Sequence, residues 1–199
     1  MADIPMYHDG SRQIQDRYST RRLADRLVEV LARNAFTDDD RVFIESRPLF
    51  FLATADADGR PDCSHKGGLP GFVRVVEPDT LAFPDYDGNG MFKSLGNVLA
   101  NPAVGILFID FESPRRLRVN GRASIGDDDP LLTQFEGATL IVRVKADAIF
   151  PNCPRYIHKM KVVEQSAYVP CAGHVPPVPG WKKQPVFREV LPPGDAAAN

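Results

Sequence analysis

The chain has 199 residues, of which 43% are apolar and 25% charged, and its formal net charge is −2. This composition predicts one globular domain, and the near-neutral charge gives no general attraction to nucleic acid or to an anionic membrane surface. No apolar run approaches the roughly 20 residues that span a bilayer, and the N-terminal sequence lacks the apolar core of a secretory signal, so a cytoplasmic location is expected.

The first predicted elements are two helices. Residues 1–19 show no clear period and are predicted to be a surface arm. From Thr20 onward apolar residues recur at spacings of three and four, which predicts an amphipathic helix lying on another surface; they are Leu23, Leu27, Val30 and Leu31. A second helix is predicted to start at Thr37 or Asp38 and to stop near Ser46, because capping and acidic residues open it and Pro48 follows.

Strand patterns dominate the rest of the chain. Runs of β-branched and aromatic residues alternate with turns rich in glycine and proline. In order they are LFFLATAD, RPDCSHK, FVRVVE, TLAFPD, AVGILFIDF, RRLRVNGRASI and TLIVRVKADAIF. Short helices are predicted over MFKSLGNVLANP and LLTQFEG. Six or seven strands with hairpin links predict a mainly-β fold, an antiparallel barrel whose closure removes exposed edges.

Three segments are predicted. Residues 1–36 form the arm and first helix, residues 37–165 form the barrel domain, and residues 166–199 form a proline-rich extension. The many prolines after Pro170 are expected to exclude regular structure from this extension. Four of its apolar residues are expected to dock it on a surface, and these are Val186, Phe187, Val190 and Leu191.

The strongest local sign of chemistry is the sequence DGNGMFKS, which joins a strand to a helix. Its glycines allow backbone N–H groups to approach an anion, the helix N-terminus favours negative charge, and Lys93 and Ser94 add a cation and a hydroxyl. The pattern suits a phosphate, although it lacks the spacing of a Walker motif. An ordinary glycine turn before a helix with a solvated lysine explains the same residues.

Two other groups of residues are candidates. The sequence CSHKGG, residues 63–68, exposes backbone that would suit a flat ring, but an ordinary glycine loop is equally consistent. Four metal-ligand types also occur downstream with the spacing C-x4-H-x12-C-x2-H, and they are Cys153, His158, Cys171 and His174. This spacing fits no standard zinc finger, so no metal site is predicted and the cysteines are taken as reduced thiols.

Longer stretches carry a family resemblance. FFLATADADGRPDCSHKGGLPGFVRV, LAFPDYDGNGMFKSLGNVLANPAVGILFIDF, RRLRVNGRA and IFPNCPRYI, in this order, resemble the flavin-binding core of the pyridoxamine 5'-phosphate oxidase-like family over roughly residues 40–160. The resemblance implies a six- to seven-stranded antiparallel split barrel. It also implies an FMN-binding homodimer with the flavins in grooves between the subunits.

The resemblance also implies the cofactor-binding residues. One strand would follow the flavin ring and ribityl chain with Ser64, His65, Lys66, Gly67 and Gly68, and the next strand would contribute Phe83, Asp85 and Tyr86. The phosphate would be held by Lys93 and Ser94, with Asn89 on the loop before them. Arg116 stands where the family often places a glutamine near the flavin, and its charge would favour anionic reduced flavin.

The function implied is an FMN-dependent oxidoreductase acting on a small molecule. The C-terminal sequence VPGWKKQPVFREVLPPG does not reproduce the segment with which the oxidase proper holds its substrate, so pyridoxamine phosphate is not expected to be the substrate. His65, Tyr86 and His158 are the candidate proton donors or acceptors. The alternatives are a non-catalytic flavin carrier, a deazaflavin or heme protein of the same fold, and a zinc-stabilised interaction protein.

Overall fold

Seven antiparallel strands form one sheet in the computed structural model, which describes residues 6–198. The strands are β1 (Leu49–Ala55), β2 (Pro61–Gly67), β3 (Arg74–Glu77), β4 (Thr80–Tyr86), β5 (Ala103–Asp110), β6 (Arg115–Gly126) and β7 (Ala138–Asn152). Their order in the sheet is β2-β1-β5-β6-β7-β4-β3. Every neighbouring pair is antiparallel, which confirms the predicted mainly-β class and strand number.

The sheet curls around a single aromatic core. Phe50 on β1 packs edge-on against Phe83 on β4, with ring centroids 4.9 Å apart. These two strands are four places apart in the sheet order, so a flat sheet with strands spaced by about 4.8 Å would separate them by about 19 Å. The close contact therefore requires the sheet to close on itself as a split barrel, and Phe108 on β5 completes the cluster at 5.4 Å from Phe50.

The helices lie outside the sheet. They are α1 (Asp9–Arg17), α2 (Arg21–Leu31), α3 (Asp38–Glu45), α4 (Lys93–Ala100) and α5 (Pro185–Arg188), with short 3-10 helices at Pro130–Gln134 and Gly180–Lys183. Among the residues described, none of these helices is long and apolar enough to cross a membrane.

Helix α3 begins at the predicted cap. The Thr37 hydroxyl accepts a hydrogen bond from the Asp40 N–H, and the Asp40 carboxylate accepts one from the Thr37 N–H. This reciprocal capping box satisfies two N–H groups that the first turn leaves without helical partners. Asp40 is buried and forms an ion pair with Arg33, so the carboxylate holds both the start of α3 and the preceding loop.

The N-terminal prediction is corrected in two places. Residues 9–17, predicted as part of an irregular arm, form α1; this helix has one apolar residue, Ile14, and no buried residue, so its sequence gives no periodic signal. Helix α2 is present as predicted, but its stripe faces outward, with Leu23 60%, Leu27 44% and Val30 67% exposed. The helix instead buries the small side chain of Ala24. The first five residues of the predicted arm lie outside those described.

The proline-rich extension also departs from expectation. It contains a 3-10 turn at Gly180–Lys183 and the single turn α5 (Pro185–Arg188). Proline is compatible with the first turn of a helix, where its missing N–H would have no partner, and Pro185 is at that position. Both turns contribute residues to a cleft along β2.

Candidate functional site

A cleft of about 1150 Å³ lies along β2, at the edge of the sheet. Strand β2 and the end of β4 form its floor, the start of α4 forms one side, and the C-terminal extension forms the other. The polar residues that line it include Asp62, Ser64, Lys66, Asp85, Tyr86, Asn89, Lys93, Ser94, Thr139, Lys182 and Asp195.

The N-terminus of α4 meets this cleft without a side-chain cap. Phe92, which precedes the helix, has left-handed backbone angles (φ 46°), and its side chain caps no N–H. Gly90 also has a positive φ of 73°, a conformation that glycine adopts without strain. The Asn89 side chain accepts a hydrogen bond from the Met91 N–H at 3.0 Å and shapes the loop. The first N–H groups of α4 are thus free of capping side chains and can bind an anion.

Lys93 and Ser94 are the first residues of this helix. Within residues 6–198, Lys93 is exposed and forms no salt bridge, whereas Ser94 is buried with its hydroxyl 3.4 Å from the Asp62 carboxylate. The helix is fixed on the barrel by a buried hydrogen bond from the Asn97 amide to the Thr54 hydroxyl at 3.0 Å. A rigid helix therefore holds a free cation and a hydroxyl at the cleft.

Side chains alternate along β2, so only some of its predicted residues reach the cleft. Ser64 and Lys66 line it, and Lys66 forms an ion pair of 3.1 Å with Asp85 across the floor. His65 points to the opposite face, where its ring meets that of Phe51 edge-on at 6.1 Å. Because Asp85 already neutralises Lys66, Lys93 is the cation that remains for an anionic ligand.

Tyr86 follows Asp85 at the end of β4. Burial raises the pKa of its phenol, and the charge of Arg74 lowers it by less. The strand register shifts between Asp85 and Tyr86, a local irregularity typical of positions that redirect a side chain. The phenol therefore remains protonated near neutral pH and is able to donate a hydrogen bond into the cleft.

The C-terminal wall is fixed by one lysine. The Lys182 ammonium contacts the Asp87 carboxylate at 2.8 Å and the Asp195 carboxylate at 2.7 Å. Hydrogen bonds with Asp195, which has the larger effect, and with Asp87 raise the pKa of Lys182. The hydrogen bond from Lys182 lowers the pKa of Asp195. Trp181 and Phe187 form an edge-on pair in this wall, with ring centroids 5.5 Å apart.

The structure brings most of the sequence-based candidates together. Seven of them line the cleft, and they are Ser64, Lys66, Asp85, Tyr86, Asn89, Lys93 and Ser94. Five lie outside its lining, and they are His65, Gly67, Gly68, Phe83 and Arg116. His158, the remaining proton-transfer candidate, is also outside.

Contacts with neighbouring aromatic side chains explain why two of these five residues, Phe83 and Gly68, do not line the cleft. Phe83 is fully buried in the aromatic core, so its side chain does not face the cleft as the resemblance implied. Asp85, two residues further along the same strand face, lies beyond the end of that core and reaches the cleft. Gly68 is in contact with Phe72, since a Cβ there would lie 2.5 Å from the Phe72 ring. Its backbone is therefore covered by an aromatic side chain and not open to a ligand.

Arg116 lies elsewhere on the sheet. It pairs with Asn152 between β6 and β7, and among the described residues neither its buried Nε nor the buried Oδ1 of Asn152 has a hydrogen-bond partner. Nearby, hydrogen bonds from the Arg155 backbone and guanidinium lower the pKa of the Cys153 thiol, with a smaller effect from the charge of Arg116. Arg116 thus belongs to a basic patch outside the cleft of its own subunit.

The alternative metal ligands do not form a cluster. Across residues 6–198, no three histidine, cysteine or acidic side chains lie in positions that could hold a metal ion. The His174 ring contacts the Ala167 carbonyl at 2.8 Å, and Cys153, Cys171 and Cys63 are free thiols. These residues provide no support for the zinc alternative.

Sequence reasoning missed the C-terminal half of the cleft. Lys182 and Asp87 are 95 positions apart, and no local pattern indicates that they meet. Asp62 was also missed, although its place two residues before Ser64 on the same face of β2 was a usable signal. Three wall residues, Phe187, Val190 and Leu191, were expected only to dock the extension on a surface, with no indication of where, and Trp181 was not among them.

The chain is similar in sequence to known proteins. A family model described as pyridoxamine 5'-phosphate oxidase matches residues 36–167. A pyridoxine/pyridoxamine 5'-phosphate oxidase of Hyphomonas neptunium is 29% identical over 138 residues, which cover 65% of this chain and 57% of that protein. The chain thus spans just over half the length of that relative.

Two solved structures are also similar. A putative pyridoxamine 5'-phosphate oxidase from Lactobacillus delbrueckii has 24% identity and a TM-score of 0.48, over 59% of this chain and 95% of that one. The HupZ protein of group A Streptococcus has 17% identity and a TM-score of 0.48, over 63% of this chain and 100% of that one.

Proposed function

Because the chain belongs to the pyridoxamine 5'-phosphate oxidase family, we propose that it binds FMN in the cleft and acts as an FMN-dependent oxidoreductase on a small molecule. The observation that carries this proposal is the uncapped N-terminus of α4, where Lys93 and Ser94 line the cleft. Free N–H groups, a cation without a salt bridge and a hydroxyl are the donors that a phosphate monoester requires.

The residues around the cleft have separate roles in this proposal. Lys93, Ser94 and the first N–H groups of α4 hold the phosphate. The ion pair of Lys66 and Asp85 lies on the floor where the ribityl chain and ring would run, and it presents both a donor and an acceptor. Flavin, when bound, supplies the hydride or electron transfer.

Tyr86 is the proposed proton donor. Its phenol lines the cleft, and burial raises its pKa, so the proton is retained at neutral pH. His65 and His158 lie outside the cleft lining and have no such role within one subunit.

A homodimer is the proposed assembly. Leu23, Leu27 and Val30 expose an apolar stripe on α2, and Tyr156 and Val163 are 91% and 95% exposed on an extended segment after β7. Exposed apolar groups in this number are typical of surfaces that a partner covers. Leu27→Glu is expected to lower the dimer fraction in analytical ultracentrifugation, whereas Arg26→Ala, a change at the neighbouring charged position, should leave it unchanged.

The direct test is an absorption spectrum of the purified protein, with any bound cofactor released and identified by mass, followed by titration with FMN. The chain has a single tryptophan, and Trp181 lies in the cleft wall, so FMN bound in this cleft should quench its fluorescence by energy transfer. Flavin binding that leaves Trp181 emission unchanged would place FMN elsewhere.

The same preparation separates an enzyme from a carrier. Reduction of bound flavin by NADH or NADPH, followed by reoxidation with an acceptor, supports the oxidoreductase. Flavin that stays oxidised with both donors and a panel of substrates supports a flavin-binding protein without turnover. A deazaflavin or heme is distinguished by its absorption bands.

A further inference from the structure

The C-terminal extension supplies a second set of contacts in the cleft. Segment 180–197 lies beyond residues 36–167, which the family model matches, and it provides Trp181, Lys182, Phe187 and Asp195 to the lining. At about 1150 Å³ the cleft exceeds the roughly 300–1,000 Å³ typical of sites for one drug-sized ligand. It has room for a second small molecule beside the cofactor.

Lys182 holds this segment in place. Its side chain is 6% exposed and Asp195 is 7% exposed, so the pair fixes two ends of the segment to each other away from solvent. The second contact of Lys182, with Asp87, joins the segment to the loop that leads into α4. The wall is therefore attached to the phosphate side of the cleft by one charged side chain.

The surface that this segment presents is mainly apolar and aromatic. Its apolar lining residues are Trp181, Phe187, Val190, Leu191 and Pro192. The rings of Trp181 and Phe187 meet nearly at right angles, at an interplanar angle of 84°. An edge-on pair of this kind presents a ring face and a ring edge, against which a flat apolar group can pack.

The charges around the wall disfavour an anion. The charged side chains of the cleft are four carboxylates and three lysines, namely Asp62, Asp85, Asp87, Asp195, Lys66, Lys93 and Lys182. Lys66 and Lys182 are already paired with carboxylates. Once a phosphate occupies Lys93, no free lysine remains, and a further anion would meet net negative charge.

We propose that segment 180–197 is the wall of the cleft that selects the substrate. The segment binds the flat apolar part of a neutral or cationic small molecule, and Lys182 is the residue that positions the segment. This proposal rests on the proposed function for the identity of the neighbouring ligand. It excludes phosphorylated substrates, since their phosphate would compete with that of FMN for Lys93.

Calorimetry on the FMN-loaded full chain tests the proposal with three probes of similar shape: 2-phenylethylamine, 2-phenylethanol and 3-phenylpropionate. The amine and the alcohol are expected to bind at least fivefold more tightly than the carboxylate. Phe187→Ala should weaken them about tenfold, and Val186→Ala, a change on the exposed side of the same turn, should leave them within twofold. Equal affinity for the carboxylate, or equal effects of the two substitutions, would overturn the proposal.

The role of Lys182 is tested separately. Lys182→Met leaves Asp195 without its counter-ion and is expected to release the segment, with faster proteolysis within residues 166–199, a red-shifted Trp181 emission and weaker binding of 2-phenylethylamine. The double variant Lys182→Met/Asp195→Asn removes both charges and should restore part of the protection. If Lys182→Met leaves proteolysis, emission and amine affinity unchanged, Lys182 does not position the wall.

FMN affinity distinguishes failure of this proposal from failure of the proposed function. Phe187→Ala should change the FMN dissociation constant by less than threefold, because its ring lies in the C-terminal wall and the proposed phosphate contacts lie at the start of α4. If the wild-type protein binds no FMN, the proposed function fails, and the comparison of Phe187→Ala with Val186→Ala, made with 2-phenylethylamine in the absence of FMN, still decides whether the wall binds the ring.

Discussion

Replacement of Lys93 by alanine is the most direct perturbation of the candidate phosphate site. Lys93 opens α4, lines the cleft and forms no salt bridge within the described chain. Its ammonium is therefore available to a ligand without first being separated from a carboxylate. We expect Lys93→Ala to weaken FMN binding while leaving the fold intact, because an exposed lysine at a helix N-terminus adds no stabilising contact with the helix dipole.

The magnitude follows from the exposure of Lys93. A contact of 4 Å between unit charges corresponds to about 4 kcal/mol at an effective dielectric constant of about 20, and a hydrogen bond to a charged group is worth a net ~1.5–3 kcal/mol. Since Lys93 is exposed, solvent screening reduces this to about 1–2 kcal/mol. The dissociation constant should rise about 5- to 30-fold, with a further rise of about 2- to 10-fold for Ser94→Ala.

The assay is fluorescence titration with FMN at two salt concentrations. Lys161→Ala, which removes an exposed lysine outside the cleft, is the matched control and should leave the affinity unchanged. Lys93→Ala should also reduce the salt dependence of binding, since it removes one charge contact. An unchanged dissociation constant in Lys93→Ala/Ser94→Ala, with circular dichroism showing a folded protein, would refute the phosphate assignment.

Three other predictions concern single residues. Asp62→Asn should tighten FMN binding several-fold in the same titration, because it removes a negative charge 3.4 Å from the Ser94 hydroxyl; weaker binding would contradict this. Gly121→Ala should lower the free energy of unfolding by about 3 kcal/mol or more, since a Cβ would lie 2.1 Å from a β7 carbonyl oxygen. Gly96→Ala in α4 has open space around it and should raise the free energy of unfolding by about 0.5–1 kcal/mol. Chemical denaturation of the two variants measures both changes. Burial raises the pKa of Asp40, but hydrogen bonds from a neighbouring arginine and from the cap of α3 outweigh it and lower the pKa overall. The ionised Asp40 therefore stabilises the fold above the unfolded pKa of about 4, and this contribution is lost as the pH falls through the lower folded pKa. Asp40→Asn should make the free energy of unfolding depend less on pH in the acid range. An unchanged dependence would contradict the argument.

Strand identity was predictable because its signals are local. Alternating apolar residues and turn residues follow one another within a few positions, so the hairpin of β1 and β2 was found with its turn. The start of α3 was predicted from Thr37, whose capping box is complete within four residues. The grouping of Lys93 and Ser94 at the cleft was predictable for the same reason, since both lie next to the glycine loop that precedes α4.

The direction in which side chains point was less accessible. Ser64, His65 and Lys66 were grouped together, yet the alternation of β2 separates His65 from the other two. Phe83 and Asp85 share a strand face, and only the extent of the aromatic core decides that the first is buried and the second lines the cleft. The exposed stripe of α2 has the pattern of a packed helix, because the same periodicity serves contacts within a subunit and with a partner.

The sequence by itself determined the fold class and the glycine loop that leads into α4, because both depend on residues close together in the chain. Only the tertiary structure decided that the extension forms the opposite wall and that Lys182 joins Asp87 to Asp195. These contacts depend on how the sheet curls and where the chain returns to it. Long-range burial and charge pairing leave no periodic trace in sequence, so they become visible only when the chain is folded.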